Sequence, residues 1–221
     1  MKVGLLLAVL LLCLACSNEQ NEILESELPV DETVKIESVQ IGNQVWMKQN
    51  LSVSHYRNGD PIQLLEPADY WRQTTEGAWS FYNNDSIEYA QYGKLYNWYA
   101  INDSRGICPK GWRVPTLTDY NTLNRYLGSD STSGDFLKDT SALWTSSTFT
   151  TTNSSGFSAL PIGYRLSNGE FYNFGKIACF WTATIGDNNN AWDIFLIGKS
   201  AMFGTSQTAF ENGYSCRCIK E

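Results

Sequence analysis

Between Thr116 and Leu127 this chain carries its clearest helical pattern, and beyond Gly156 one short strand-like run follows another. Thr116 and Asp119 have the spacing of a capping box. Leu117, Tyr120, Leu123 and Leu127 fall on one helical face, and Gly128 follows as a stop. The strand-like runs are Phe157 to Leu160, Tyr164 to Leu166, Glu170 to Phe174 after a Ser167-Asn168-Gly169 turn, Cys179 to Thr184, Trp192 to Ile197 and Tyr214 to Ile219. Ser38 to Ile41 and Gln44 to Met47 flank Gly42-Asn43, a two-residue loop that closes a β-hairpin and puts Val39, Ile41 and Trp46 on one face. Pro61 to Tyr92 mixes polar and aromatic residues without a steady period and reads as a long ordered loop or insertion. One main helix among hairpins predicts an α+β domain, and the lack of a fixed-period repeat argues against a solenoid or propeller.

The 221 residues, 43% of them apolar, support one well-buried domain with appendages. A net charge of -7 without clustered Lys and Arg argues against a nucleic-acid partner. Aromatic residues make up 14% of the chain; they can stack on sugar rings, but core packing is their default use.

Met1-Lys2 precedes an apolar run, Val3 to Leu14, too short to cross a bilayer and the right length for an export signal. It ends Leu14-Ala15-Cys16, which resembles the lipobox cut by the bacterial lipoprotein signal peptidase, leaving Cys16 as an acylated N-terminus. Membrane anchoring through lipid on Cys16 is therefore expected, with the ordinary secretory signal as the alternative. Ser17 to Glu32 holds six acidic residues and no basic one, a composition that resists packing. Such a run behind a lipidated cysteine looks like the signal that sends some Gram-negative lipoproteins to the outer face of the outer membrane; a periplasm-facing anchor is the alternative. The chain divides into a signal peptide (1–15), an acidic tether (16–33) and a domain (34–221).

Export leaves Cys108, Cys179, Cys216 and Cys218 in an oxidising compartment, where an even number predicts bridges. Cys216 and Cys218 stand two apart on a predicted strand and are poorly placed to bond one another, which leaves two crosswise connectivities open. A metal or redox site is the alternative, but Cys-X-Cys lacks the Cys-X-X-Cys spacing and has no neighbouring histidine.

Six aromatic–glycine phrases recur along the chain: Ile41-Gly-Asn-Gln-Val-Trp-Met47, Tyr92-Gly-Lys-Leu-Tyr-Asn-Trp-Tyr99, Cys108-Pro-Lys-Gly-Trp-Arg-Val-Pro-Thr116, Ser155-Gly-Phe-Ser-Ala-Leu-Pro161, Phe171-Tyr-Asn-Phe-Gly175 and Ser215-Cys-Arg-Cys-Ile219. Together they resemble the Fibrobacter succinogenes major paralogous (FISUMP) domain family, whose members are mostly exported bacterial lipoproteins of unknown biochemical role. Gly111-Trp-Arg-Val-Pro-Thr-Leu-Thr-Asp-Tyr120, with the closing Arg217-Cys218, also looks like the C-type-lectin-like superfold and its formylglycine-generating branch. The resemblance implies a twisted antiparallel sheet with one main helix, long loops and termini that come together. It pairs Cys108 with Cys218, the positions that recur in the family's Cys-Pro and Arg-Cys phrases, and so leaves Cys179 with Cys216.

Catalytic signals are sparse. His55 is the single histidine, which leaves a Ser-His-Asp arrangement unsupported and excludes a His-rich zinc site. Gly198-Lys199-Ser200 looks like the end of a phosphate loop, but Asp193 stands where that motif needs glycine. Asp187, Asn189, Trp192 and Asp193 form a candidate ligand or calcium loop between strands, against the plainer reading of a polar turn without an ion. The triplets that accompany the lectin calcium motif are missing. Formylglycine-generating enzymes use a cysteine pair, for which Cys216 and Cys218 have a structural use instead. The expectation is a non-catalytic envelope binding module for a glycan or protein, with no catalytic residues, metal or cofactor assigned. The alternatives are a structural component of an envelope assembly and an enzyme of the formylglycine-generating kind.

Overall fold

The computed structural model describes residues 36–128, 131–145 and 151–221, so the expectations for the signal segment, Cys16 and the tether lie outside the described residues. The first half holds β1 (Ser38–Ile41), β2 (Gln44–Met47), β3 (Gln63–Leu64), α1 (Ala68–Gln73), β4 (Ala78–Ser80), α2 (Ser86–Tyr89), β5 (Leu95–Tyr96), α3 (Trp98–Ile101) and β6 (Trp112–Arg113). The second holds α4 (Leu117–Tyr126), α5 (Ser133–Leu137), β7 (Tyr164–Arg165), β8 (Phe171–Tyr172), β9 (Ile177–Ile185), β10 (Asn190–Ile197), β11 (Phe203–Ala209) and β12 (Ile219–Lys220). The result is a mixed α+β fold of small sheets, ordered β1-β2-β12-β6, β11-β10-β9, β3-β4-β5 and β7-β8. Their pairings are antiparallel except β3 with β4. Among the described residues no helix is long and apolar enough to cross a membrane.

The predicted hairpin forms in the expected register, Val39 opposite Trp46 and Ile41 opposite Gln44. Gly42 takes φ 59°, a left-handed position that a side chain disfavours. Ile41 and Trp46 are buried against Tyr120 and Leu123 of α4, with Val39 alongside. The capping box is complete: Asp119 N donates to the Thr116 hydroxyl, and Thr116 N donates to the Asp119 carboxylate at 2.7 Å. Arg113 adds a fork to the same carboxylate at 2.7 and 2.9 Å, tying β6 to the start of α4.

Two expectations need correction. Pro61 to Tyr92 is not a loop: it contributes β3, α1, β4 and α2. Trp71, Trp79 and Tyr89 are each buried from a different short element, so no period builds up along the sequence. Phe157 to Leu160 is not a strand; Ser158 at φ 57° breaks the extended backbone, leaving one bridge between Ala159 and Lys138. An unpredicted strand, β11, pairs along β10, and its Gly204 lies flat against the Phe195 ring, which would be 2.2 Å from an added Cβ.

The last predicted strand shortens to β12, yet its whole segment is tied into the fold. Gly213 bridges Arg165, Tyr214 bridges Tyr96, Ser215 bridges Phe180, and Ile219 pairs with both Trp46 and Arg113. One strip of chain thus joins all four sheets.

Candidate functional site

Arg217 lies in that strip and is fully buried. Its guanidinium donates to the Phe157 carbonyl, the Asn50 side-chain oxygen and, at 3.4 Å, the Ser158 carbonyl. The Phe157 and Phe180 rings flank it, with centroids 4.4 and 5.2 Å away. Burial pushes its pKa down to about 10. Among the described residues it makes no ion pair, and its Nε has no hydrogen-bond partner. A buried cation held only by neutral acceptors is costly, so its site is over-determined by the packing around it.

Two of its acceptors line a cleft of about 430 Å³. The cleft draws on segments distant in sequence: Glu37, Lys48, Gln49, Asn50 and Ser52 after the first hairpin; Ala90 to Gly93; Asp139; and Ser158 with Leu160. Its floor is rigid for identifiable reasons. Asn50 uses both ends of its amide, accepting from Arg217 and donating to the Tyr92 carbonyl at 3.0 Å. Gly93, at φ 92°, crosses so close to Asn50 that an added Cβ would stand 2.7 Å from the Asn50 Cβ. Ser158 is held in its left-handed conformation by Asn153, which accepts from Ser158 N at 2.9 Å and donates to its hydroxyl at 2.8 Å. Strained non-glycine backbone gathers at functional sites, and here it sits in the cleft wall.

The rim is polar. Gln49 and Ser52 are exposed and make no side-chain hydrogen bond within the described residues. Lys48 and Glu37 form a loose ion pair at 3.5 Å. Tyr92 is half-buried, its ring tilted against those of Tyr89 and Phe174 in an aromatic cluster. None of these residues was a sequence-level candidate. The signal available was the phrases themselves, since Tyr92-Gly93, Ser158 to Leu160 and Arg217 belong to three of the six and converge here.

The candidate calcium loop is pulled apart. Asp187 and Asn189 are exposed at the tip of the β9–β10 hairpin, where Asn188 and Asn189 take φ 53° and 60°. Asp193 lies inside β10, 1% exposed, and accepts from the Ser206 hydroxyl at 2.8 Å. Trp192 alternates to the other face of the strand and is only partly buried. The two carboxylates therefore serve a turn tip and a strand interior rather than one centre. Burial raises the Asp193 carboxyl to about 7. His55 is exposed, beside the Ser54 hydroxyl at 3.2 Å.

Cys108 and Cys218 form a disulfide across 110 residues of sequence. The second expected bridge is absent: Cys179 and Cys216 are buried free thiols. The parallel bridge of Phe180 with Ser215 explains this, because it puts Cys216 one step along with Trp181 while Cys179 lies one step back, beside Tyr214. Burial pushes the Cys216 thiol up to about 12. The Cys216 sulfur lies within 4.8 Å of both bridged sulfurs, so these three cysteines form a sulfur cluster that the fourth does not join.

No curated protein and no solved structure matches the chain. The family model described as the Fibrobacter succinogenes major domain matches residues 39–220, from the first hairpin to the last strand and across every segment of the cleft beyond Glu37. The chain belongs to that family.

Proposed function

We propose that this protein is a non-catalytic binding module of the cell envelope, anchored by lipid on Cys16, and that the cleft over Arg217 takes a glycan. The observation that carries the reading is the cleft itself: a rigid floor beneath an uncommitted amide, an uncommitted hydroxyl and a tyrosine ring. Glycans offer many hydroxyls and an apolar ring face, which such groups bind by paired hydrogen bonds and stacking. A C-type-lectin-like arrangement is part of the reading, supported by the shared sheet of the first hairpin and the last strand and by α4 packed beside it. The acidic run behind Cys16 supports the outer face of the outer membrane as the location. No metal or cofactor is assigned a role.

The test is a screen of the purified domain against envelope and capsular polysaccharides, repeated with the Gln49→Ala/Ser52→Ala double variant. Binding that falls at least tenfold in the variant supports the cleft. Binding unchanged in the variant, or no binder at high protein concentration, overturns it. The anchor is checked separately by mass spectrometry of the N-terminal peptide, where an unacylated Cys16 would refute it.

A further inference from the structure

The sulfur cluster has one more thiol than its disulfide uses. Cys108, Cys216 and Cys218 place their sulfur atoms within 4.8 Å of one another, closed off from solvent. Disulfide exchange needs a thiolate within reach of a bridged sulfur, so the limiting quantities are distance, access and ionisation of the attacking thiol. Distance is already satisfied.

Backbone hydrogen bonds hold both possible partners of Cys108 against the same stretch of chain. Leu51 N donates to the Cys216 carbonyl at 2.8 Å, and Met47 N donates to the Cys218 carbonyl at 3.1 Å. Arg57 Nε donates to the Cys108 carbonyl at 3.0 Å and fixes the facing loop. We propose that Cys216 is a second, interchangeable partner for Cys108, giving the protein two isomeric bridges, Cys108–Cys218 and Cys108–Cys216. In the exchange the Cys216 thiolate attacks the Cys108 sulfur, the Cys108–Cys216 bond forms and the Cys108–Cys218 bond breaks. Cys218 leaves as a thiolate and takes the proton that Cys216 gave up. One bond replaces another, so no oxidant or reductant is consumed.

Access is what the fold withholds. Cys216 is fully buried in one apolar cluster with Tyr96, and that burial pushes its thiol up, while the neighbouring Arg217 favours the thiolate. Exchange therefore belongs to moments when the C-terminal strip loosens, during folding or transient opening. The bridge isomer then becomes a record of that opening. Cys179, outside the cluster, takes no part.

The test uses the full chain, purified oxidised, with free thiols blocked before digestion and disulfide peptides identified by mass spectrometry. Cys218→Ser is expected to yield Cys108–Cys216 as its main bridge, and Cys179→Ser the native Cys108–Cys218. A folded Cys218→Ser protein with Cys108 and Cys216 both alkylated overturns the proposal. Should that variant not fold, wild-type protein held in partially unfolding urea decides the matter. Cys108–Cys216 peptides rising at least tenfold over the urea-free control support it, and recovery of Cys108–Cys218 alone overturns it.

Discussion

Asp193 and Arg217 are buried opposites with different consequences. For Asp193, burial raises the folded carboxyl to about 7, while the unfolded chain keeps the ordinary value near 4. Its contribution to stability is fully present below about pH 4 and is lost as pH rises through about 7. Asp193→Asn keeps an acceptor for Ser206 and is expected to remove a decline of about 2–4 kcal/mol between those limits. Urea titrations at pH 4.5 and 7.5 read this directly, and parallel pH profiles for the two proteins would contradict it. For Arg217, replacement by Met keeps much of the bulk between Phe157 and Phe180 but strands the Phe157 carbonyl and frees Asn50. A loss of about 3 kcal/mol is expected in chemical denaturation. On the proposed reading of the cleft, ligand binding should fall with it, because Arg217 holds Asn50 and the Ser158 carbonyl in the cleft floor.

Among the elements, α4 was the most legible because every cue agreed: cap, apolar face and glycine stop. Thr116→Ala is expected to cost about 1 kcal/mol, and Asp119→Ala about 2 kcal/mol since the Arg113 fork goes with it; thermal melts distinguish the two. The first hairpin was equally readable, because Gly42-Asn43 fixes both turn and register. Elsewhere the cues fail for physical reasons. The Thr205-Ser206-Gln207-Thr208 run of β11 is polar along an edge that is half exposed, so its strand character comes from pairing with β10 rather than from its own pattern. β3, α1, β4 and α2 are too short to set up a period. The cleft was present in the sequence only as scattered phrases and not as one motif, since Asn50, Tyr92, Asp139 and Ser158 meet only through tertiary folding. The disulfide was recoverable from the resemblance, whereas the fate of Cys179 depended on a strand register that sequence does not display.

At the scale of the whole molecule the Cys108–Cys218 bridge closes a long loop onto the strip that joins the sheets. Removing it through Cys108→Ser is expected to lower stability by about 4–5 kcal/mol in the chain-entropy account. Cys218→Ser should lose markedly less, because Cys216 can take the vacant place; equal losses in equilibrium denaturation would speak against that substitution of partners.

The strip from Gly213 to Lys220 follows in sequence every strand that it joins. A nascent chain can shape its individual hairpins early, but it lacks the piece that unites them until all of those strands have been made. Closure of the sheets into one unit therefore waits for this strip, so a chain cut short before Gly213 is expected to keep its hairpins and lack the joints between them.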